Sequence, residues 1–477
     1  MNHMFRFWML LVIVALGCVA LYEWMPREVG ALELKKIDLL SDLRVDSTTN
    51  KLDQVDASSD FIKNRKQTKV AKTTKGSADS VVSKVQKRDS LYIALQKQRE
   101  LVADSTLVAF EDYSAEHNGL NRFFKAIFQR GSLNRPVRIA VLGDSFIEGD
   151  IFTQDVRRQL QGRFGGSGVG WMPLSSETSG FRQSVKHSFG GWTDRNILHH
   201  SKGAYTISGH SYLLNAETAW AQYVLPVDSA AAPNLFTVYY TPSKDAEILM
   251  KAGDSTMTKS VIGSEHVLQA FSINTKSRQL RVTVKSRAGF SVQGVAMEGV
   301  PGISVDNYSL RGNSGLLLNG LNIPLNQTYS SLRKYDLIVL QYGLNVASSK
   351  QSNYSNYVRG MKSAIARLKQ CYPDSDILLM GVTDRAEKVN GAFVSSRGVL
   401  ALAAAQQQLA RDAGVVFWNS LAGMGGEGSM TRMVEKGWAA KDYTHLSFKG
   451  GRFVAGAFMK AFENEYKYYE AKRKANL

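Results

Sequence analysis

The chain has 477 residues, 44% of them hydrophobic and 21% charged, an ordinary globular composition with room for two or three domains. Its formal net charge of +17 favours acidic partners such as anionic lipid, a polyanionic glycan or nucleic acid. Two cysteines, Cys18 and Cys371, exclude a disulfide-stapled scaffold, because Cys18 lies in an apolar leader and an internal bridge is not expected.

Residues 7–22 are almost wholly apolar, with Arg6 before them and Glu23, Pro26 and Arg27 after. The run is slightly short of the ~20 residues a membrane span needs, and Trp24 and Met25 extend it at the interface. No small-x-small site precedes Tyr22, and Ala15-Leu16-Gly17-Cys18 is a poor lipoprotein box. Residues 1–25 therefore read as an uncleaved anchor, with a cleaved signal peptide as the alternative. Arg6 on the short side keeps the N-terminus in the cytoplasm and puts the bulk of the chain in the periplasm or outside.

Residues 26–114 read as a polar, basic spacer, in which 80–98 could be helical. Its Lys63, Arg65, Lys66, Lys69, Lys72 and Lys75 have no interleaved aromatics to stack on bases, so nucleic acid is not an expected partner. The charge serves instead as a secondary attraction to anionic lipid or wall polymer.

Ordered structure is expected from about 115. Leu120, Phe123, Phe124, Ile127 and Phe128 predict an amphipathic helix over 119–129. Residues 137–142 then form a short apolar run rich in β-branched residues, which fits a strand buried on both faces. It stops at Gly143-Asp144-Ser145, where the carboxyl end of a strand can present a serine hydroxyl to a cleft. Ser145 is the candidate nucleophile. A helix is predicted over 153–164, ending in the glycine-rich stretch 165–171. That stretch lacks the Lys-Ser/Thr of a phosphate loop and follows a helix, so nucleotide binding is rejected.

From 178 to 300 the pattern changes to short alternating runs such as 236–241 and 279–285, which predicts an inserted β-sandwich. Its Trp192, Tyr205, Tyr212, Trp220, Tyr239 and Tyr240 are candidates for a sugar platform, with sandwich core as the commoner fate. Trp192 is taken as an exposed example. His187, His199, His200 and His210 show no metal-ligand spacing.

The α/β pattern then resumes, with strands at 335–341, 376–382 and 415–418 and helices at 356–370 and 394–413. Such alternation gives a doubly wound parallel sheet, a three-layer α/β/α fold with an inserted β-sandwich. Gly343-Leu344-Asn345 follows one strand, and Asp442-Tyr443-Thr444-His445 stands near the C-terminus. A carboxylate three residues before a histidine can reach back to the Nδ1–H and fix the tautomer for proton transfer.

These stretches together resemble the conserved blocks of the SGNH or GDSL-like hydrolases. The resemblance implies Ser145 as nucleophile, with Asp442 and His445 completing a catalytic triad. The Ser145 N–H, the Gly312 N–H and the Asn345 amide would form the oxyanion hole. The second-block glycine is assigned to Gly312, with Gly315 as the alternative. Val346 stands where the third block usually has Glu.

A closer resemblance runs through 143–150 and 163–171, which look like the bacterial peptidoglycan O-acetylesterases. That family carries a β-sandwich resembling a carbohydrate-binding module between its first and second blocks, and 294–302 resembles the return from it. Phe146 departs from the histidine that often follows the nucleophile there.

The resemblance covers about 115–465. It divides the chain into a hydrolase first part (115–177), the insert (178–300), a hydrolase second part (301–465) and a basic tail (466–477). It implies a serine esterase that removes O-acetyl groups from a cell-envelope glycan, with peptidoglycan expected, through an acetyl-enzyme and without metal or cofactor. The enzyme would sit on the inner membrane of a bacterial envelope. The alternatives are an O-acetyltransferase acting on a cell-surface polysaccharide with the same residues, and a non-catalytic, membrane-tethered glycan-binding protein.

Overall fold

The computed structural model describes residues 107–199, 203–228, 230–263, 267–287 and 289–474. It also describes, in a separate unit, the backbone of a short antiparallel pair, Glu28–Val29 with Leu32–Glu33. The apolar run at 7–22 and the spacer with its possible helix at 80–98 lie outside the described residues. Among the described residues no helix is long and apolar enough to cross a membrane.

Five parallel strands form the main sheet: β1 (Val137–Gly143), β2 (Ile303–Ser309), β3 (Leu337–Gln341), β4 (Asp376–Met380) and β5 (Val416–Trp418). Their spatial order is β2-β1-β3-β4-β5, with the two-residue strand Glu111–Asp112 antiparallel on the β5 edge. Every residue of β1, β3, β4 and β5 is buried, as expected where helices cover both faces of a parallel sheet. The chain leaves β1 for β2 on one side and later returns to β3 on the other. The carboxyl end of β1 is therefore the topological switch point, where such sheets open a crevice.

Six helices support the sheet: α1 (Asn121–Gln129), α2 (Thr153–Phe164), α3 (Ile323–Leu332), α4 (Ser355–Cys371), α5 (Arg397–Ala413) and α6 (Phe448–Lys474). Phe123, Phe124 and Ile127 are buried as the α1 spacing predicts, whereas Phe128 turns outward beneath the Arg473 guanidinium. Residues 466–474 of the expected basic tail form the last part of α6, and 475–477 lie outside the described residues. Tyr466 and Tyr468 are buried, and Tyr466 packs edge-on against Phe124 and Phe164. The basic residues Lys472, Arg473 and Lys474 fall in the last turn of α6, where positive charge complements the helix dipole.

Between β1 and β2 the chain builds two antiparallel sheets. One has the order Gln269–Asn274, Leu235–Thr241, Ser291–Glu298, His210–Leu214, Trp192–Asn196. The other runs Ser255–Val261, Ala246–Ala252, Gln279–Ser286, Thr218–Val224, Lys186–Gly190. Alternate residues such as Ala219, Ala221 and Tyr223, and Leu280, Val282 and Val284, are buried while their neighbours face out, the period-two pattern of a half-buried sheet. The expected glycine-rich loop closes into the strand Gly168–Met172, which pairs with Ser291–Glu298.

A buried ion cluster joins this last strand to the main sheet. Glu298 accepts from Arg138 of β1 and from Arg333, while Arg333 also donates to Asp306 of β2. Burial alone would raise the Glu298 carboxyl, but the two guanidinium groups outweigh it and hold it below the ordinary carboxylate range.

Five of the six aromatics proposed for a sugar platform are core. Trp192 is 8% exposed, with its indole N–H donated to the Trp220 carbonyl, which corrects its expected exposure. Tyr205, Tyr212, Tyr239 and Tyr240 are also buried, and only Trp220 of the set is half-exposed.

A hairpin is among the elements that escaped the sequence reading. Ala386–Val389 and Ala392–Ser395 form a hairpin with both turn residues at positive φ, Asn390 at 50° and Gly391 at 89°, as a type I′ turn requires. It draws residues 394 and 395 into a strand, so the helix expected from 394 begins at Arg397.

Candidate active site

Ser145 lies two residues beyond the end of β1, after Asp144. Its loop is held from below by a buried network: Asn307 of β2 donates to the Ile147 carbonyl at 2.7 Å, and Asp150 accepts from Arg157 and Ser184. Burial would raise the Asp150 carboxyl, but Arg157 and Arg182 beside it hold it well below the usual range.

Ser145 and His445 are 300 residues apart in sequence. Ser145 Oγ lies 3.0 Å from His445 Nε2, and His445 Nδ1 lies 2.8 Å from Asp442 Oδ2. The Asp442 turn is self-organised, because its Oδ1 accepts the N–H groups of Thr444 at 2.9 Å and His445 at 3.0 Å. Burial works against ionisation of Asp442, yet these N–H donors and the imidazole together keep its carboxyl below the ordinary value. The Asp442 and His445 side chains are 49% and 39% exposed, so the base faces solvent while Ser145 itself is nearly buried.

The third group of residues lies beside β1. Leu310 N–H donates to the Gly143 carbonyl at 3.0 Å, and Asn313 N–H donates to the Leu310 carbonyl at 3.1 Å. That closes a four-residue turn with Gly312 at its third position and φ at 79°, where glycine is favoured. The two candidate glycines now separate. Gly315 N–H is taken by Asn313 Oδ1 at 2.9 Å, and a Cβ on Gly315 would strike Tyr342 and Met361, both at 2.8 Å. Gly315 is thus a packing glycine, whereas a Cβ on Gly312 would meet open space. Asn345 sits in the turn after β3, where Val346 and Ala347 both donate to the Gly343 carbonyl at 2.9 Å. Asn345 Nδ2 donates to the Asn313 carbonyl at 3.1 Å, which uses one of its two hydrogens and leaves the other. The structure therefore brings Asn345 to the Gly312 turn, and both to the β1 edge.

Several residues that support these turns were given no role from the sequence. Gln406, in a run of three glutamines, accepts the Val382 N–H at 2.6 Å and donates to the Tyr342 carbonyl at 2.8 Å, so it ties together the carboxyl ends of β3 and β4. Asp144 is fully buried, with Oδ1 accepting the Phe146 N–H at 2.9 Å. Its other oxygen, Oδ2, is buried without a hydrogen-bond partner, while the backbone N–H groups of Gly343 and Leu344 nearby favour the ionised form. Burial dominates, and the Asp144 carboxyl is pushed up to about 7. Arg385 and Phe393 are the other two, and Asn390-Gly391 was the signal that should have revealed Phe393's hairpin.

Chemically, the arrangement offers a hydroxyl with a proton acceptor, a carboxylate that orients the acceptor, and amide donors on the turns beside the carboxyl end of β1. Among the described residues no group of three or more His, Cys, Asp or Glu side chains could hold a metal ion.

No protein-family model matches the chain, and no curated protein matches it. Among solved structures it is similar to a peptidoglycan O-acetylesterase, with a TM-score of 0.62 at 19% identity, over 75% of this chain and 99% of that one. It also aligns with a family two carbohydrate esterase from Cellvibrio japonicus (TM-score 0.24, 10% identity, 63% of this chain and 99% of that one). A family two carbohydrate esterase from Clostridium thermocellum in complex with cellohexaose gives a TM-score of 0.26 at 11% identity, over 54% of this chain and 95% of that one. The chain shares the fold of the solved peptidoglycan O-acetylesterase, a mostly parallel α/β sheet, with antiparallel sheets inserted between its first two parallel strands.

Proposed function

We propose that the protein is a serine esterase that removes O-acetyl groups from a cell-envelope glycan, with peptidoglycan as the substrate class. The observation that carries this reading is the relay from Ser145 Oγ to His445 Nε2 to Asp442 at the switch point of the sheet. His445 Nε2 takes the Ser145 proton as Oγ attacks the acetyl carbonyl, and Asp442 holds the Nδ1–H tautomer. The oxyanion accepts from the Ser145 and Gly312 N–H groups and the Asn345 amide. His445 then protonates the departing sugar oxygen, leaving acetyl on Ser145. Water, deprotonated by His445, attacks the acetyl-enzyme, and His445 returns that proton to Ser145 Oγ as it leaves, which releases acetic acid and restores the free serine.

The solvent exposure of His445 and Asp442 favours water as the acyl acceptor over a sugar hydroxyl, and it leaves the site open to a polymer. The fold likeness to a peptidoglycan O-acetylesterase supports the glycan class. In this reading residues 7–22 hold the chain at the inner membrane, and the catalytic part works in the periplasm or outside. The inserted sheets act as a carbohydrate-binding β-sandwich.

The test is acetate release from O-acetylated peptidoglycan and from 4-nitrophenyl acetate by wild type and Ser145→Ala. Release by wild type alone is expected. Equal release by both, or none by wild type on either substrate, would overturn the esterase. Acetyl transfer to an added glycan in place of acetate release would select the transferase. Retention on membranes after a high-salt wash is expected of the anchor.

A further inference from the structure

One segment touches both of the turns that carry the proposed chemistry. Beyond β4 the chain reaches Asp384, which is fully buried and accepts the Met430 N–H at 2.8 Å. Arg385 follows, and its guanidinium donates to the Leu344 carbonyl at 3.3 Å and the Ala347 carbonyl at 2.8 Å. Those two carbonyls bracket Asn345. The next residue, Ala386, donates its N–H to the Tyr443 carbonyl at 3.0 Å. At the far side of the hairpin the Phe393 ring lies face to face with Tyr443, 3.6 Å between centroids and 9° between planes. Phe393 is 37% exposed. The base of the hairpin is pinned on its return as well, with Ser396 N–H on the Arg385 carbonyl at 2.8 Å and Gly428 N–H on Ser395 Oγ at 2.7 Å.

Tyr443 is where the catalytic turn needs such support. It lies between Asp442 and His445 with φ at 56°, a left-handed conformation that is unfavourable for a residue with a bulky side chain. Burial does not hold this turn, since the Asp442 and His445 side chains are both more than a third exposed. The turn's own hydrogen bonds, including Ala440 N–H to the His445 carbonyl at 2.8 Å and Tyr443 N–H to the Ala440 carbonyl at 3.1 Å, shape it internally, and the hairpin adds one contact to its backbone and one to the Tyr443 ring that tie it to the rest of the site.

We infer that Arg385 and Phe393 are positioning residues. The 385–395 segment is a clamp that holds the oxyanion amide of Asn345 and the Asp442–His445 base in fixed relation to Ser145. This rests on the esterase reading for its catalytic meaning and on the contacts alone for its mechanical one. Misplacing a reacting group by about 1 Å costs on the order of 10²-fold in rate, so the loss should fall in kcat with KM little changed.

With 4-nitrophenyl acetate, Phe393→Ala should lower kcat about 10-fold or more while Phe393→Tyr restores it, because any stacking ring at that position supports Tyr443. Arg385→Ala should lower kcat by roughly 10- to 100-fold, and Arg385→Lys should not restore it, since one ammonium cannot reproduce the planar fork across two carbonyls. Combined with Asn345→Ala, Arg385→Ala should add almost nothing, because the two act through one group. Multiplying losses, or an unchanged kcat in Phe393→Ala, would overturn the clamp.

Hydrogen exchange gives a readout independent of turnover. Amides of 440–447 should exchange faster in Phe393→Ala, and those of 343–348 faster in Arg385→Ala, with the rest as in wild type. Unchanged exchange in both segments would overturn the clamp even if the enzyme proved inactive. A wild type that cannot be told from Ser145→Ala would overturn only the esterase reading.

Discussion

The Asp442 turn allows a substitution to be read at the level of a single proton. Asp442 Oδ1 accepts two backbone N–H groups, from Thr444 and His445, and Oδ2 faces His445 Nδ1 at 2.8 Å. In Asp442→Asn the amide oxygen has to keep the Oδ1 place, because the NH2 group cannot accept from two N–H donors. The NH2 then points at Nδ1 and donates to it. Nδ1 becomes the acceptor, the ring proton moves to Nε2, and Nε2–H now faces Ser145 Oγ. A histidine in that tautomer cannot take the serine proton.

In a buried triad such a change costs about 10⁴ in kcat. Here the pair is 39% and 49% exposed, so water competes for Nδ1 and part of the productive tautomer survives. We expect a loss of about 10²- to 10³-fold, or roughly 3–4 kcal/mol of barrier. The comparator is Asp442→Ser, which keeps a short acceptor for the turn but forces no donor onto Nδ1. Steady-state hydrolysis of 4-nitrophenyl acetate should place the asparagine variant about 10-fold below the serine variant in kcat, with melting curves confirming that both fold. An asparagine variant as active as the serine variant, or more so, would refute the tautomer argument and leave His445 oriented by something other than Asp442.

Other outcomes follow from the same geometry. Asp144 carries a folded-state pKa of about 7 against an ordinary 3.8, so the native state holds a proton that the unfolded chain releases between those values. Its contribution is complete below pH 3.8 and is lost as pH rises through 7, a difference of up to about 4 kcal/mol. Asp144→Asn should therefore gain most over wild type at pH 8 and least at pH 4 in urea unfolding, and a gain that shrinks with rising pH would contradict the burial argument. Arg333→Ala leaves the Glu298 and Asp306 carboxylates buried without their shared partner, and should cost about 3–5 kcal/mol of stability in the same assay; a loss below about 1 kcal/mol would mean that Arg138 alone suffices. Trp220, stacked against the Arg281 guanidinium at 4.3 Å on the outer face of the second inserted sheet, should impair hydrolysis of polymeric glycan as Trp220→Ala while sparing 4-nitrophenyl acetate. Equal loss on both substrates would make it structural, and no loss on either would remove it from a sugar platform.

The sequence by itself determined the frame of this protein. Continuous apolar runs ending in polar turns marked the residues of β1, β3 and β4 as buried strands and put Ser145 and Asn345 just beyond their carboxyl ends, whereas Asp442 and His445 follow no strand and stood out only by their three-residue spacing and the likeness to the hydrolase blocks. Helix α2 was found at its observed limits because its periodicity is undisturbed. What local pattern cannot carry is the identity of a partner far along the chain. Gly312 and Gly315 look alike until Asn313 Oδ1 is seen to hold the Gly315 N–H. Trp192 and Trp220 both sit in alternating strands, and only the packing of the sheets decides that one is core and the other half-exposed. The 386–395 hairpin had its signal in Asn390-Gly391, but four-residue strands with exposed apolar side chains are a weak pattern, and the turn was passed over. That Phe393 should lie on Tyr443, 50 residues later, was decided by tertiary structure alone. A turn's sequence sets its own conformation, whereas the contact that holds it in place depends on where the sheet delivers both ends.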